Sequence, residues 1–408
     1  MEASRKVALV LAGGAARGAY EVGVVAHILE EVSRDLGRDV PLDILCGTSV
    51  GAINACMLAA FADEPRARAQ RLVDRWAGLH INDLVRVDVM RVLGLLRNMV
   101  RPPRPEPIDA EHQRRGGLVD PSGIERLIRD AIPFERIGTH IISGRLTAVT
   151  ISTTHVGSGR TVVFVARGER GLPPWSSDAT VIARAAELRA EHALASAAIP
   201  VLFPAVAIDG HFYCDGGLRQ NVPLSPARRL GADGLIVVNP RYLKPPTPFE
   251  QVQAEQAFPS PWFLIGKTLN ALLLDRLESD IDRLERINAL LLAGVRRYGD
   301  RFLDEINDEM GRHGKAALRP MRAVLIRAST DIGKMSAEFV RSPAFRRRAP
   351  GMVGRLMAQL ADGEPTSEAD LLSYLLFDGE FARQLIALGR SDARARHAEL
   401  CAFFEALT

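Results

Sequence analysis

A serine between two glycines is the first feature of this sequence that could carry out chemistry. Ser49 lies at the centre of Gly47-Thr48-Ser49-Val50-Gly51, which fits the pattern G-x-S-x-G. In this arrangement the serine occupies a sharp turn between a strand and a helix, and the glycines let neighbouring backbone pass close by. The hydroxyl can then attack an acyl carbonyl, while the helix N-terminus faces the negative charge that develops. We therefore expect Ser49 to sit on an exposed turn.

A glycine-rich segment near the start of the chain offers backbone N–H groups to an anion. The segment from Gly13 to Gly18, of sequence GGAARG, stands between a predicted strand and a predicted helix, where such groups can point together. Its spacing does not match the G-x-G-x-x-G of a dinucleotide site, and no Gly-Lys-Ser/Thr follows to make a P-loop. The segment predicts an oxyanion hole beside Ser49, with a close-packed turn as the alternative.

A candidate general base follows a predicted hairpin. Asp215-Gly216-Gly217 ends a strand on a glycine-rich loop, from which the carboxylate could reach Ser49 and accept its proton. Asp-Gly-Gly is also ordinary turn chemistry, and in isolation it favours a plain turn.

The elements that must position these residues alternate between strands and helices. The apolar run Val7–Leu11 predicts a buried parallel strand, and Ala19–Ser33 carries apolar residues at helical spacing. A second strand, Leu42–Cys46, leads into the serine turn, and a helix follows from Val50 to Ala60. Further predicted strands are Leu146–Ser152, Thr161–Val165, Ala205–Cys214 with a hairpin turn at Asp209-Gly210, and Leu235–Asn239.

Two regions differ in character from this alternation. Leu95–Pro107 contains four prolines and predicts an exposed flexible segment. Three prolines between residues 245 and 248 indicate a linker, after which most of the chain predicts helices. In the amphipathic stretch Trp262–Tyr298 the polar face mixes acids and bases, which favours a docked helix over a membrane-contacting one. One strand, Ala323–Ala328, interrupts the helices and could rejoin the sheet.

Composition narrows the class of protein. The 408 residues are 47% hydrophobic and 25% charged, with a net charge of +3 and a mean hydropathy of +0.02. This charge balance predicts no attraction to nucleic acid, and no run of about 18 apolar residues indicates a membrane-spanning helix. The four cysteines lack a disulfide-framework spacing, which favours a reduced, cytoplasmic setting. No H-E-x-x-H or similar cluster predicts a metal, and no cofactor is expected.

Together the three segments resemble the patatin-like phospholipase family. That family joins a glycine-rich loop near the N-terminus, a G-x-S-x-G turn after the second strand and a D-G-G or D-G-A motif, in the order found here. Ala195–Pro200, with Phe203-Pro204 after it, is similar to the family's segment ahead of the aspartate strand. The resemblance covers about residues 5–240, and jointly the motifs are highly specific.

The resemblance implies an α/β fold, in which a three-layer sheet is flanked by helices, and a Ser-Asp dyad without histidine. The resemblance also implies hydrolysis of acyl esters by this dyad, commonly in phospholipids or lysophospholipids. Ser49 would be the nucleophile and Asp215 the base, and Gly13, Gly14 and Ala15 would form the oxyanion hole. The supporting positions of the three motifs are Arg17, Gly18, Gly47, Gly51, Gly216 and Gly217. The family usually has glycine where Ala15 stands, and a methyl group there could narrow the loop or tilt one N–H, where a lost donor costs roughly 3 kcal/mol.

Alternative functions remain open from the sequence. A carboxylesterase or thioesterase could use the same dyad, and a catalytically silent lipid- or protein-binding module could retain the motifs. An acyltransferase on a related scaffold would need a histidine base. The order Ser, acid, His of α/β-hydrolases leaves only His313 and His397 after Asp215, both in the predicted helical extension.

The expected organisation is a patatin-like catalytic domain at residues 1–245 and a mostly helical extension at residues 246–408 that could pack on it. We expect a lipid or acyl-ester substrate, met in the cytoplasm or at the surface of a membrane, and no nucleic-acid partner. Oligomeric state is not predicted.

Overall fold

A computed structural model describes most of the chain. The described residues are 5–81, 119–169, 179–243, 277–315, 317–349 and 368–407, together with short pieces between these ranges. The predicted flexible segment Leu95–Pro107, the prolines at 245–248 and the first part of the helix predicted from Trp262 lie outside the described residues.

A mixed ten-stranded sheet forms the centre of the protein. Five of its strands are parallel neighbours, in the order β12 (Arg322–Arg327), β11 (Gly234–Asn239), β1 (Val7–Leu11), β2 (Ile44–Thr48) and β6 (Ala148–His155). The strands β1, β2 and β11 are buried along their whole length. Because both faces of such strands are covered, they are continuous apolar runs in the sequence instead of alternating ones.

The strand β6 also begins the antiparallel part of the sheet. β7 (Thr161–Arg167) pairs along one edge of β6, and β10 (His211–Asp215) pairs along the edge that β2 also occupies. β10 forms a hairpin with β9 (Ala205–Ile208) through Asp209 and Gly210. The φ angles of these two residues are 48° and 79°, which fit the type I′ turn that an Asp-Gly pair predicts. The outer strands on this side of the sheet are β8 (Val181–Ala185), which is parallel to β7, and β4 (Arg114–Arg115), which is antiparallel to β9. The strands β3 (Arg86–Val87) and β5 (Val119–Asp120) form a separate pair.

Helices surround this sheet. In the described residues they are α1 Gly18–His27, α2 Val50–Ala60, α3 Ala67–Ala77, α4 Ser122–Ala131, α5 Glu135–Ile142, α6 Ala190–Ser196, α7 Leu224–Arg229, α8 Leu277–Tyr298, α9 Arg301–Arg312, α10 Ile332–Arg341, α11 Pro343–Arg348, α12 Glu368–Leu375, α13 Gly379–Ala395 and α14 His397–Glu405. A π-helical turn at Ile28–Val32 and a turn at Ser33–Asp35 continue α1, and 3₁₀ turns lie at Ala15–Arg17 and Gly216–Leu218. No helix of the described residues combines the length and the apolar character needed to cross a membrane.

Side chains of β1 show that helices cover both faces of the sheet. Leu9 and Leu11 pack in a large apolar cluster with α1, α2 and α13, whereas Ala8 and Val10 pack in a second cluster with α7 and α8. Successive residues of a strand point to opposite faces, so the two clusters are the two sides of one sheet. The α/β fold class with helices on both faces, predicted from the sequence, is confirmed.

The C-terminal part of the chain contacts the N-terminal half closely. Helices α1 and α13 approach at two glycines: a Cβ on Gly23 would lie 2.0 Å from the carbonyl oxygen of Ile386, and one on Gly389 would lie 2.1 Å from that of Tyr20. A side chain at either glycine would push the two helices apart. The strand predicted at Ala323–Ala328 is β12, and it extends the same sheet by pairing with β11. The division at residue 245 stays a prediction.

Candidate active site

The register of β6 brings the serine and the aspartate together. Thr48, the last residue of β2, pairs with Ser152, and Asp215, the last residue of β10, pairs with the adjacent Thr153. Since β2 runs parallel and β10 antiparallel to β6, their carboxyl ends point towards each other along the same edge. The residue that follows β2 is Ser49, which therefore meets Asp215.

Ser49 and Asp215 form a short hydrogen bond. The hydroxyl Oγ of Ser49 lies 2.6 Å from Oδ2 of Asp215, within the range of a bond between a hydroxyl and a carboxylate. Ser49 is 2% exposed and Asp215 is fully buried. The expectation that Ser49 sits on an exposed turn is wrong, because apolar side chains enclose the turn and the serine lines a small cavity instead of bulk solvent.

The backbone of Ser49 is held in a strained conformation. Its φ and ψ are 55° and −128°, which non-glycine residues rarely adopt and which costs about 1–3 kcal/mol. The N–H of Ser49 donates to the hydroxyl of Ser196 at 2.8 Å, and that hydroxyl donates to the carbonyl oxygen of Ser152 at 2.6 Å. These two hydrogen bonds connect the turn to β6, and they occupy the N–H of Ser49 as a donor.

The two glycines of the serine motif are required by close backbone contacts. A Cβ on Gly47 would lie 2.4 Å from the carbonyl oxygen of Gly51. A Cβ on Gly51 would lie 2.5 Å from the carbonyl oxygen of Leu11, at the end of β1. Real side chains do not make such contacts, so the tight packing of this turn against β1 explains both glycines.

Burial changes the acidity of Asp215. Removal from water raises the pKa of this carboxyl to about 7, against hydrogen bonds from Ser49 and from the N–H of Gly217 that lower it. The Gly217 N–H donates to Oδ1 at 2.7 Å, which leaves Oδ2 for the serine. Gly216 must be small, since a Cβ there would lie 2.2 Å from the carbonyl oxygen of Ser152.

The glycine-rich segment lies directly beside Ser49. A Cβ on Gly13 would lie 3.1 Å from Cβ of Ser49 and 2.2 Å from Oδ1 of Asn221. Asn221 clamps this segment, because its carbonyl oxygen accepts from the Gly13 N–H at 3.2 Å and its Nδ2 donates to the Gly13 carbonyl oxygen at 3.3 Å. Gly14 packs near Pro240, and a Cβ on Gly18 would lie 2.5 Å from a methyl group of Val50.

Ala15 carries the unusual backbone angle of this loop. Its φ is 48°, in the left-handed region that favours glycine, and it lines the cavity in front of Ser49. For a residue with a Cβ this conformation costs roughly 1–2 kcal/mol. Alanine at position 15, where the family usually has glycine, therefore places backbone strain next to Ser49.

We expect Ala15→Gly to raise the free energy of unfolding by up to about 1 kcal/mol. Relief of the left-handed strain exceeds the extra chain entropy that glycine brings to the unfolded state. The neighbouring Ala16 is the matched control, because it has a negative φ and Ala16→Gly should destabilise by about 0.5–1 kcal/mol. Equilibrium denaturation of both variants measures this, and equal effects of the two substitutions would contradict the strain at Ala15.

Arg17 connects the glycine-rich segment to the C-terminal region. The side chain is 7% exposed, its Nε donates to Oγ of Ser373 at 2.8 Å, and its guanidinium lies 4.2 Å from the ring centroid of Tyr374. Both partners belong to α12. The sequence indicated Arg17 only as a supporting position, because a partner more than 350 residues away leaves no local pattern.

The sequence did not indicate the polar residues that hold the Ser49 turn, such as Ser196. The two histidines considered as alternative bases, His313 and His397, lie away from Ser49. Ser196 stands in a segment that was noted only for its resemblance. His313 hydrogen-bonds Glu309 on the exposed face of α9, and His397 hydrogen-bonds His27 at 3.0 Å. Across the described ranges, no three His, Cys, Asp or Glu residues are grouped to hold a metal ion.

Comparison with known protein families gives a match over more than half of the chain. A family model described as patatin-like phospholipase matches residues 9–228, more than half of the 408 residues. Lysophospholipase nte1 from Aspergillus terreus is 48% identical over 59 residues, which are 14% of this chain and 3% of that protein. The chain thus matches only a small fraction of the length of this curated relative.

Solved structures show more distant likenesses. VipD from Legionella pneumophila is 12% identical, with 93% of this chain and 91% of VipD covered and a TM-score of 0.27. The heterodimeric ExoU–SpcU complex from the type III secretion system of Pseudomonas aeruginosa contains a chain that is 16% identical. In that case 96% of this chain and 76% of the other are covered, with a TM-score of 0.26.

Proposed function

The chain belongs to the patatin-like phospholipase family, and from this premise we propose that it is a serine acyl hydrolase that cleaves fatty-acyl esters of phospholipids or lysophospholipids. The observation that carries the proposal is the 2.6 Å contact between the Ser49 hydroxyl and the buried Asp215 carboxylate. A hydroxyl within hydrogen-bond distance of a buried base is the arrangement needed for nucleophilic catalysis.

In the first half-reaction Asp215 accepts the proton of Ser49 as Oγ attacks the ester carbonyl. The raised pKa of Asp215 makes it a stronger base than an ordinary aspartate, whose carboxyl titrates near pH ~4. The tetrahedral intermediate then collapses, and the C–O bond to the alcohol breaks. Asp215 returns the proton to the departing alkoxide, which leaves an acyl group on Ser49.

In the second half-reaction water takes the place of the alcohol. Asp215 removes a proton from the water as its oxygen attacks the acyl-enzyme carbonyl. Collapse of the second intermediate releases the fatty acid, and the proton on Asp215 passes back to Oγ of Ser49. The same carboxylate thus serves both steps as base and then acid.

Backbone amides stabilise the oxyanion in this proposal. The amide of Ser49 donates to Ser196 and that of Gly13 donates to Asn221, so we assign the stabilising role to the amides of Gly14 and Ala15. Ala15 has a left-handed φ and begins a 3₁₀ turn, and successive N–H groups in such turn conformations form anion-binding concavities. Gly13 contributes by letting the loop approach Ser49.

The walls of the cavity support a fatty-acyl substrate. The lining next to Ser49 is formed mainly by aliphatic and aromatic side chains, which include Val50, Ile53, Leu194 and Phe203. An apolar lining with a small number of convergent polar groups is typical of a site for a largely apolar ligand.

Hydrolysis of defined lipids tests the proposal. Purified protein would be incubated with phospholipids, lysophospholipids, neutral glycerides and acyl thioesters, and released fatty acid and thiol would be quantified. We expect the greatest release from phospholipids or lysophospholipids, together with covalent labelling by a fluorophosphonate. If only thioesters or simple esters are hydrolysed, the protein is a thioesterase or carboxylesterase and not a phospholipase. If no substrate is hydrolysed and no serine is labelled, the protein is a binding module.

Activity is expected to persist in a chelator. The proposed dyad performs proton transfer and nucleophilic attack with side chains alone, so removal of divalent cations should change initial rates by less than about twofold. Rates on one lysophospholipid with and without EDTA measure this. Complete loss that added calcium restores would contradict the mechanism.

A further inference from the structure

A small apolar cavity lies next to Ser49, and a second small apolar cavity adjoins the first. The serine cavity, about 50 Å³, is lined by Ser49 and Ala15 together with apolar side chains. The distal cavity, about 70 Å³, lies between α2, α3 and α4. The two share four lining residues, which are Val50, Ile53, Ile124 and Phe377. These shared residues are the wall between them.

The distal cavity offers an apolar environment away from the reacting atoms. Leu72, Ile128 and Ala131 line it and are at least nine-tenths buried. The charged residue among its described lining is Arg75, which is exposed and so marks the outer end. An interior of this kind binds hydrocarbon by the hydrophobic effect alone.

Two polar side chains at the wall of the distal cavity, Trp76 and Asn54, are hydrogen-bonded. Trp76 Nε1 donates to Asn54 Oδ1 at 3.0 Å, and Asn54 Nδ2 donates to Glu21 Oε2 at 2.9 Å and to the carbonyl oxygen of Gly18 at 3.2 Å. Burial raises the pKa of Glu21 well above its usual range. The Trp76 ring is thereby fixed in place.

Phe377 forms the part of the shared wall that comes from the C-terminal region. Its ring stacks on Trp76, with centroids 6.4 Å apart and planes inclined by 21°. The backbone is held on both sides, because the Phe377 N–H donates to the carbonyl oxygen of Leu375 and the following Asp378 caps α13. The ring itself is half-buried.

We propose that the acyl chain of the substrate runs from Ser49 through the serine cavity, past Phe377 and into the distal cavity, and that Phe377 determines which acyl-chain lengths are accepted. This inference rests on the proposed function and makes the C-terminal region part of the substrate site. With the carbonyl carbon at Ser49, a short acyl group fits in the serine cavity. A longer chain gains burial only by passing the Phe377 ring.

Chain-length profiles of Phe377 variants test this inference. The measured quantity is kcat/KM for saturated p-nitrophenyl esters from butanoate to hexadecanoate, with enzyme concentrations from fluorophosphonate titration. We expect the long-to-short ratio to rise at least about tenfold in Phe377→Ala and to fall about tenfold in Phe377→Trp, since one accommodated methylene is worth about tenfold or more. A ratio within one preparation is insensitive to loss of folded protein.

The matched control is Phe134, which is half-buried and lines neither cavity. Phe134→Ala should leave the ratio as in the wild type. Ala131→Leu fills the distal cavity from α4 while Phe377 is retained, and it should lower the ratio about tenfold.

The acyl route and the proposed function are contradicted by different results. If the wild type hydrolyses the esters and no Phe377 or Ala131 variant changes the ratio, the acyl route is overturned and the proposed function stands. If the wild type hydrolyses none of them and is not labelled, the proposed function fails and the acyl route fails with it.

Discussion

Ser49→Ala is expected to abolish lipid hydrolysis and covalent labelling, with a fall in kcat of about 10⁵-fold or more, as for the loss of other catalytic serines. The hydroxyl of Ser49 is the group placed 2.6 Å from Asp215, and no acyl-enzyme can form without it. The substitution removes one oxygen at a residue whose turn is held by backbone contacts, so the fold should survive. Labelling by a fluorophosphonate, located by mass spectrometry of peptides, measures the outcome.

An exposed serine supplies the control for this experiment. Ser158 lies in the turn between β6 and β7, and its hydroxyl hydrogen-bonds His155 at 2.9 Å, away from Asp215. The Ser158→Ala variant should be labelled by the fluorophosphonate and should hydrolyse lipid as the wild type does. If the fluorophosphonate labels another serine in the Ser49→Ala variant, Ser49 is not the nucleophile, whatever the effect of the substitution on turnover.

Local elements of this protein are predictable from its sequence because each depends on neighbouring residues. The strand Val7–Leu11 and the helix Val50–Ala60 agree with the structure at both ends. Asp209-Gly210 identifies the hairpin because the type I′ turn needs positive φ at both positions. The strand predicted at Leu42–Cys46 is found two residues later, at Ile44–Thr48, because its pairing with β6 continues to the serine turn.

Contacts between segments that are distant in the sequence cannot be predicted from neighbouring residues in this way. The motifs indicate that Ser49 and Asp215 belong to one site, but their distance follows from two strands that share one edge of β6. The burial of Ser49 and the partners of Arg17 depend on the C-terminal region, where Ser373, Tyr374 and Phe377 lie against the site. No periodicity within a window of sequence encodes such contacts, since they are set by tertiary packing.

Asp215→Asn is expected to lower kcat/KM by about 10² to 10⁴-fold while the fold and the lipid preference are kept. Asparagine has the shape of aspartate, can still accept from the Gly217 N–H and can meet the Ser49 hydroxyl, but it cannot take its proton. The matched control is Asp209→Asn in the same hairpin, at an exposed turn position that tolerates asparagine.

Two histidine variants test the alternative of a Ser-His-Asp triad. His313→Ala and His397→Ala should each leave activity nearly intact. If either variant loses activity while Asp215→Asn keeps it, the dyad is wrong and a triad that contains the histidine takes its place.

The pH dependence of the wild type follows from the same carboxyl. Asp215 accepts a proton only when it is ionised, and its pKa is raised to about 7 by burial. The value of kcat/KM should therefore increase with pH through an apparent pKa near 7 and level off above it. A profile that is flat down to pH ~5 would show that the base titrates as an ordinary aspartate and is not the buried Asp215.

Stability gives a readout of Asp215 that does not depend on turnover. Between the ordinary aspartate pKa near 3.8 and the raised value of about 7, the folded protein keeps a proton that the unfolded chain has lost. The unfolded state binds fewer protons in this window, so the contribution of Asp215 to stability falls as pH rises and reaches its full cost, about 4 kcal/mol at most, above pH ~7. Asp215→Asn removes this cost, and it should stabilise the protein by about 2–3 kcal/mol more at pH ~8 than at pH ~5. Equilibrium denaturation of the wild type, Asp215→Asn and Asp209→Asn at both pH values measures the difference. A stabilisation by Asp215→Asn that is equal at the two pH values would mean that Asp215 is already ionised at the lower pH and that burial does not make it the base of this site.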